Sequence, residues 1–280
     1  MNFFSKITLR QTLKGYGVSP KKKFGQNFLI DKGVAKKILK TANLQPTDTV
    51  IEVGPGTGSL TGELAKKVKK VIAVEKDPEM ILLLKKTVKN FKNVKIIQND
   101  ILKIRNWELG IGNSYKVVAN LPYYIVSPAI RKFLEMKNPP KLMVLMVQKE
   151  VAQRICAKPP HMNLLAVSVQ FYAKPEIISY VSKKSFWPIP KVDSAIIKII
   201  PRHSAFGSAS FRERFFRIAK AGFSHPRKQL LNNLSQNLKI NRKKITIWLL
   251  QNKIKPYQRA ESLSLSDWMR LVRAFTKAFH

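Results

Sequence analysis

The chain has 280 residues, 52 of them Lys or Arg against 16 Asp or Glu, for a formal net charge of +36. Apolar residues make up 45% of it, enough for a sizeable core, and no run of about 18 apolar residues occurs that could span a bilayer. The imbalance excludes an acidic solvating segment and argues against an enzyme of small neutral substrates; it points to a polyanion, with anionic membrane and a plain Lys bias as rival readings.

The first segment, Met1 to Gly15, lacks acids and has the spacing of a short amphipathic helix, with the composition of an organellar transit peptide as a minor alternative. From Thr49 onward short β-branched runs alternate with helical patterns, as in parallel α/β proteins. Thr49–Val53 reads as a buried strand, followed by a Gly-rich turn and a helix over 59–67. Val71–Val74 is a second strand ending at Glu75, a helix runs through Met80 to Val88, and a third strand, Val94–Ile97, leads to Asp100. Tyr115–Ala119 is a fourth strand that stops at Asn120; a helix near 128–133 leads to a fifth, Leu142–Val147. Leu164–Phe171 reads as a helix, and Glu176–Val181 and Ser194–Ile200 as closing, antiparallel edge strands.

After Pro201 apolar residues recur at helical spacing (Phe211, Phe215, Ile218, Ala219, Phe223), with further helices expected over 229–238, 244–250 and 266–279. Two domains are therefore expected, 1–203 and 204–280, the first opening on a basic segment over 1–30. Residues 201–280 carry 17 Lys or Arg and 3 acids. The single Cys156 can form no internal disulfide, and His161, His203, His225 and His280 lack metal-ligand spacing, so a reducing, cytoplasmic setting without a metal is expected.

The strongest local signal is Glu52-Val-Gly-Pro-Gly-Thr-Gly-Ser-Leu-Thr61, between a strand and a helix. Its spacing places Gly54, Gly56 and Gly58, then Ser59 where a pyrophosphate loop needs its third glycine, which suits S-adenosylmethionine better than a dinucleotide. An acid ending the next strand is expected on the ribose hydroxyls; Glu75 stands there, and Asp100 after the third strand is placed for the cofactor's adenine amine. Glu52, Lys76 and Ile101 are counted with the cofactor residues.

Asn120-Leu-Pro-Tyr123 ends the fourth strand, where the carboxyl ends of strands converge. An adenine amine is a poor nucleophile because its lone pair is delocalised. The Asn120 amide oxygen and the Leu121 carbonyl could accept both its hydrogens, while Pro122 stiffens the turn and Tyr123 offers a stacking face. Phe186, before Pro188 and Pro190, is expected to grip the base from the other side, with a core position as the alternative. Lys149, Arg154, Lys191, Arg227 and Lys228 are expected on phosphates, though each alone is more often a solvated surface charge.

These motifs, with Phe24-Gly-Gln-Asn-Phe-Leu29, Val74–Asp77, Gln98–Ile101, Asn120–Tyr124, Met146–Ile155, Phe186–Ser194 and His225–Leu230, resemble the KsgA-type ribosomal RNA adenine dimethyltransferases in family order. The resemblance implies a Rossmann-like methyltransferase fold, a mostly parallel seven-stranded sheet with a small C-terminal all-helical domain. It implies dimethylation of two adjacent adenosines near the 3′ end of small-subunit (16S) ribosomal RNA, in an immature 30S particle; nothing in the sequence demands a dimer, so a monomer without membrane contact is expected. It also implies cofactor contacts at Asn27, Leu29, Gly54, Glu75, Asp100 and Asn120; Asn27 by its own pattern is only a turn residue. The chain departs from the family at Met162-Asn163-Leu164 and at Ser182-Lys183, which bears on RNA placement. The alternatives weighed are a non-catalytic assembly or transcription factor on the same fold, and a large-subunit enzyme of the macrolide-resistance type.

Overall fold

The computed structural model describes residues 4–112, 114–202 and 207–279; His203, the boundary expected at Ser204 and His280 lie outside them. In chain order the elements are α1 (Lys6–Gly15), β1 (Phe28–Leu29), α2 (Lys32–Ala42), β2 (Thr49–Val53), α3 (Ser59–Ala65), β3 (Lys70–Glu75), α4 (Pro78–Thr87) and β4 (Val94–Gln98). Then come β5 (Lys116–Asn120), α5 (Val126–Glu135), β6 (Leu142–Gln148), α6 (Lys149–Ile155), α7 (Leu164–Tyr172), β7 (Ala173–Val181), β8 (Phe186–Trp187) and β9 (Ser194–Pro201). Four helices close the chain: α8 (Ala209–Gly222), α9 (Leu230–Leu238), α10 (Arg242–Gln251) and α11 (Leu265–Phe279). None of the described helices is long and apolar enough to cross a membrane.

Two compact units form, one of residues up to Ala152 with Pro175–Pro201, the other of Gln153–Lys174 with the chain from Arg202. In the first, seven strands lie in the order β4-β3-β2-β5-β6-β9-β7. β2 is parallel to β3 and β5, β3 to β4, and β5 to β6, whereas β9 runs antiparallel to β6. The central strands are covered on both faces, which is why Val50, Ile51, Val71 and Ile72 form unbroken apolar runs instead of alternations. Edge strand β4 is only partly buried, with Lys95 and Gln98 exposed. One layer of the core joins Ile38 of α2 and Leu64 of α3 to Val50, Val118, Val144 and Ile196 of the sheet.

Local chemistry sets the helix starts. Asp31 caps α2 by accepting from the Gly33 and Val34 amides, and Asp77 caps α4 ahead of Pro78, whose missing N–H costs nothing there. The chain winds outward through β2, β3 and β4, then returns to the other side of β2 as β5. That reversal opens a crevice outside the carboxyl ends of β2 and β5.

The helical unit reaches back further than the expected boundary at 204. Residues 153–174 belong to it because Phe171 lies 4.1 Å from Phe215, ring centroid to centroid, and Tyr172 stacks on Phe216 at 5.7 Å. Trp268 presses so closely on α8 that a Cβ at Gly222 would collide with its ring. Asn233, fully buried, donates to the Gly222 and His225 carbonyls and fixes the turn between α8 and α9.

Candidate active site

The chain leaves β2 and turns through Gly54-Pro-Gly-Thr-Gly58 before α3 begins. Gly54 has φ +67°, and a Cβ there would stand 3.3 Å from Pro122 Cδ, so the Gly-rich loop and the Asn120–Tyr123 turn touch with no room for a side chain. Gly58 has φ +83°, and a Cβ there would lie 2.8 Å from Leu84 Cδ1 and Thr87 Oγ1. The loop is thus seated on α4 at one end and on the β5 turn at the other.

Glu75 ends β3 beside this loop. Its Oε2 accepts from the Gly56 amide at 3.2 Å, and its Oε1 from the Lys76 and Asp77 amides at 2.8 and 2.9 Å. Asp77 in turn clasps the segment before β1: Gln26 Nε2 donates to Asp77 Oδ2 at 2.8 Å and Lys21 Nζ reaches Oδ1 at 3.2 Å. Lys21 also pairs with Glu79 at 2.7 Å. This clasp sets the Phe28 ring 3.0 Å from where a Gly56 Cβ would be, closing one wall of the crevice. On the far side Lys76 Nζ bridges to Asp100 Oδ2 at 2.9 Å, and Asp100 Oδ1 accepts from the Leu102 amide.

At β5, Asn120 Nδ2 donates to the Asn27 carbonyl at 3.1 Å. A carbonyl only accepts, so the amide nitrogen must face Asn27 and Oδ1 is turned away from it. The Asn27 side chain is itself tied to the Gly25 carbonyl at 3.2 Å, as its turn pattern suggested. Tyr123 shares a 2.8 Å hydrogen bond with Ser194, a fully buried hydroxyl at the start of β9, which anchors the Tyr ring. Tyr124 is 54% exposed.

The acids are tuned by burial. It pushes the Glu52 carboxyl up to about 8, with the neighbouring Glu75 charge adding to the rise and Thr61 opposing it. Glu52 Oε2 is buried without a hydrogen-bond partner. Burial also raises Glu75, against the pull of its three backbone donors. Asp100 goes the other way: the Leu102 amide and Lys76 outweigh its burial and hold it below the ordinary carboxylate range.

One cavity of the first unit gathers nearly all the expected residues. Asn27, Leu29, Glu52, Gly54, Gly56, Glu75, Lys76, Asp100, Ile101, Asn120, Leu121, Pro122 and Tyr123 line it. Gly58 does not; its glycine serves the contact with α4 instead. Phe186 is also a correction. Its ring is 1% exposed and packs in the core with Leu29, Val181 and Ile196, so a base cannot stack on it in this arrangement. Its strand partner Leu29 holds it there through the β1–β8 pair. Lys149, Arg154, Lys191, Arg227 and Lys228 are exposed and outside the cavity. Residues the motif reading passed over are Gln26, Phe28 and Tyr124, which line it, and Ser194, which anchors Tyr123. Gln26 and Phe28 sit inside a quoted motif, but only the fold reveals Asp77 and Gly56 as their partners.

An orphaned buried carboxylate oxygen beside a second buried carboxylate, under a loop with Ser59 where a pyrophosphate loop needs its third glycine, fits a cationic nucleoside. The first unit is accordingly a methyltransferase domain dependent on S-adenosylmethionine. Comparison with known proteins narrows this: residues 17–277 match the ribosomal RNA adenine dimethylase family, and the chain belongs to it. Among its relatives, ribosomal RNA small subunit methyltransferase A of Dehalococcoides mccartyi strain 195 is 45% identical, covering 96% of this chain and 92% of that one. The protein of the same name from Geobacillus kaustophilus is 39% identical, with 96% of each covered. Of solved structures, a dimethyladenosine transferase from Plasmodium falciparum matches with a TM-score of 0.75 at 28% identity, covering 90% of this chain and 98% of that one. The 23S rRNA methyltransferase ErmE matches with a TM-score of 0.73 at 25% identity, covering 88% and 98%.

Proposed function

We propose that this protein methylates the exocyclic amines of two adjacent adenosines near the 3′ end of small-subunit ribosomal RNA, acting as a monomer on an immature small subunit in the cytoplasm. The observation that carries the reading is the Asn27–Asn120 hydrogen bond, which commits the Asn120 amide to one orientation beside the Gly54 loop. S-adenosylmethionine, when bound, supplies the methyl group as an activated electrophile. Glu75 takes its ribose hydroxyls, Asp100 and Ile101 its adenine, and Glu52 and the Gly54–Gly56 backbone the amino-acid end.

The chain's remaining work is on the target amine. Asn120 Oδ1 and the Leu121 carbonyl each accept one amine hydrogen, which draws the nitrogen toward a pyramidal geometry and localises its lone pair. Tyr123, held by Ser194, stacks on a base that has left its helix, and the exposed Tyr124 beside it extends the aromatic wall. A methylated ammonium is acidic enough to lose its proton to water, so no side-chain base is required. Lys149, Arg154, Lys191, Arg227 and Lys228 contact phosphates.

The small-subunit assignment is supported by the names of the relatives at 39–45% identity, against 25% for the large-subunit enzyme. Incubation of labelled S-adenosylmethionine with immature small subunits and, in parallel, with large-subunit RNA, followed by mapping of the modified nucleotides, tests it. Label at two neighbouring adenosines near the 3′ end is expected. Label in large-subunit RNA, or none in either, overturns it.

A further inference from the structure

The first helix carries a feature that the methyl-transfer site leaves unused. In α1, Lys6, Arg10 and Lys14 recur every fourth residue and so stand above one another on one face, about 6 Å apart from turn to turn. All three are exposed, and none has an acidic partner among the described residues. The chain holds no Asp or Glu before Asp31, so nothing in this segment offsets them. Alongside them the helix is firmly seated: Leu9 and Leu13, on the adjoining stripe, are buried against Phe28, Met80 and Leu83. The basic face is therefore held in place by the domain core rather than carried on a loose tail.

It is also concave. Lys6, Arg10 and Lys14 edge a groove whose far wall is Ser19, Pro20 and Trp187, and the Arg10 guanidinium lies 6.0 Å from the Trp187 ring centre. Ile7, 69% exposed, adds an apolar surface at its rim. Trp187 belongs to β8, and its strand partner Phe28 closes the cofactor crevice on the other side. One two-stranded element thus separates the groove from the methyl-transfer site.

We infer that this groove is an RNA-docking surface in which Lys6, Arg10 and Lys14 take successive phosphates of one strand while Trp187 and Ile7 contact sugar or base. The inference rests on the ribosomal-RNA reading above and adds a surface to it. Cations at regular short intervals, with an aromatic floor and no acids, match a phosphodiester backbone. An anionic membrane fits poorly: a helix lies on a bilayer through its apolar face, and Leu9 and Leu13 of α1 are consumed by the core, which leaves Ile7 alone as a large exposed apolar side chain on it. A simple solvated face would have no need of a groove or of Trp187.

The test is the triple variant Lys6→Gln, Arg10→Gln, Lys14→Gln in the full chain, with wild type alongside. Affinity for immature small subunits is measured by filter binding over a range of salt, S-adenosylmethionine affinity by calorimetry, and binding to phosphatidylserine vesicles by sedimentation. Expected are a loss of RNA affinity of about tenfold or more and a drop of about 2 in the slope of log affinity against log salt, from roughly 0.7 per lost single-strand phosphate contact. Cofactor affinity is expected to stay within twofold. Equal RNA affinity and slope in variant and wild type overturn the inference and leave the methyltransferase reading intact. Wild-type binding to vesicles that the variant loses, with RNA binding unchanged, overturns it in favour of a membrane. Failure of the wild type to bind immature subunits at all overturns the ribosomal reading, and the docking surface with it.

Discussion

Replacing Asn120 by Ala isolates the step on which the chemistry depends. The amide nitrogen is committed to the Asn27 carbonyl at 3.1 Å, so the oxygen reaches the target amine already oriented, at no cost of reorganisation. Removing one such preorganised partner of a transition state typically costs about 2.7–4 kcal/mol, or 10²–10³ in turnover. The cost to the fold is much smaller. One neutral hydrogen bond is lost, worth about 0.5–1.5 kcal/mol, and on a domain of this size that moves the melting midpoint by only a few degrees. The Asn120 backbone, which borders Gly54, is unchanged, so cofactor affinity should hold within a few-fold. Single-turnover methylation of immature subunits, with saturating cofactor, measures the chemical step directly; calorimetry and a thermal melt check the other two quantities. Turnover within threefold of wild type would refute the argument. So would a loss of cofactor affinity large enough to account for the lost activity.

Three further outcomes follow from the same geometry. Ser194→Ala frees the Tyr123 ring, and should lower kcat/KM for RNA several-fold without altering cofactor affinity; Tyr123→Phe should do the same, and the double variant no more, so additive effects would deny the anchor. Glu52 has its carboxyl raised by burial from 4.5 to about 8, so between those values the folded chain holds a proton that the unfolded chain has lost. Stability must then fall as pH rises through that window, and Glu52→Gln should gain on wild type by up to about 4 kcal/mol in urea melts between pH 5 and pH 9, at about 1.4 kcal/mol per pKa unit; a constant difference would place the carboxylate in a more hydrated setting. Glu75→Gln removes the charge while leaving an oxygen for the Gly56 amide, and calorimetry should find S-adenosylmethionine binding weakened at least tenfold, with unchanged affinity excluding Glu75 from the cofactor's ribose.

What could be read in advance follows from the range of the interactions involved. β2 falls at Thr49–Val53 as expected, because a strand buried on both faces keeps an apolar, β-branched character (Val50, Ile51, Val53) ahead of a Gly-rich turn, with Glu52 as its one charged residue. That Gly54, Glu75, Asp100 and Asn120 meet in one crevice is similarly legible, since each lies at or just beyond a strand end and topology alone brings strand ends together. Phe186 is the counter-example. A Phe ahead of two prolines looks the same whether it faces solvent or core, and only the long-range pairing of β8 with β1 decides that it is buried. Residues 153–174 fail for a like reason: a helical pattern gives the helix, and the Phe171–Phe215 contact that assigns it to the second unit spans more than forty residues. Helix α2 has a readable cap in Asp31, but a Lys-rich stretch masks the buried stripe of Ala35, Ile38, Leu39 and Ala42.

The charge of +36 divides along the same lines. Residues 31–108 hold 9 of the 16 acids, and three of these, Glu52, Glu75 and Asp100, line the cofactor crevice. Burying carboxylates is costly, and two of the three are pushed upward by it. A protein selected only for binding a polyanion would gain nothing from them, because each repels phosphate. They make sense if the ligand that completes the crevice is itself cationic, since a positive charge beside Glu52 and Glu75 offsets the desolvation that otherwise raises their pKa values. S-adenosylmethionine, when bound, would bring such a positive charge to the crevice that Glu52, Glu75 and Asp100 line. Cationic surface for the nucleic acid and anionic crevice for the donor are thus complementary requirements of one reaction, and the sequence separates them by keeping its first thirty residues free of acid.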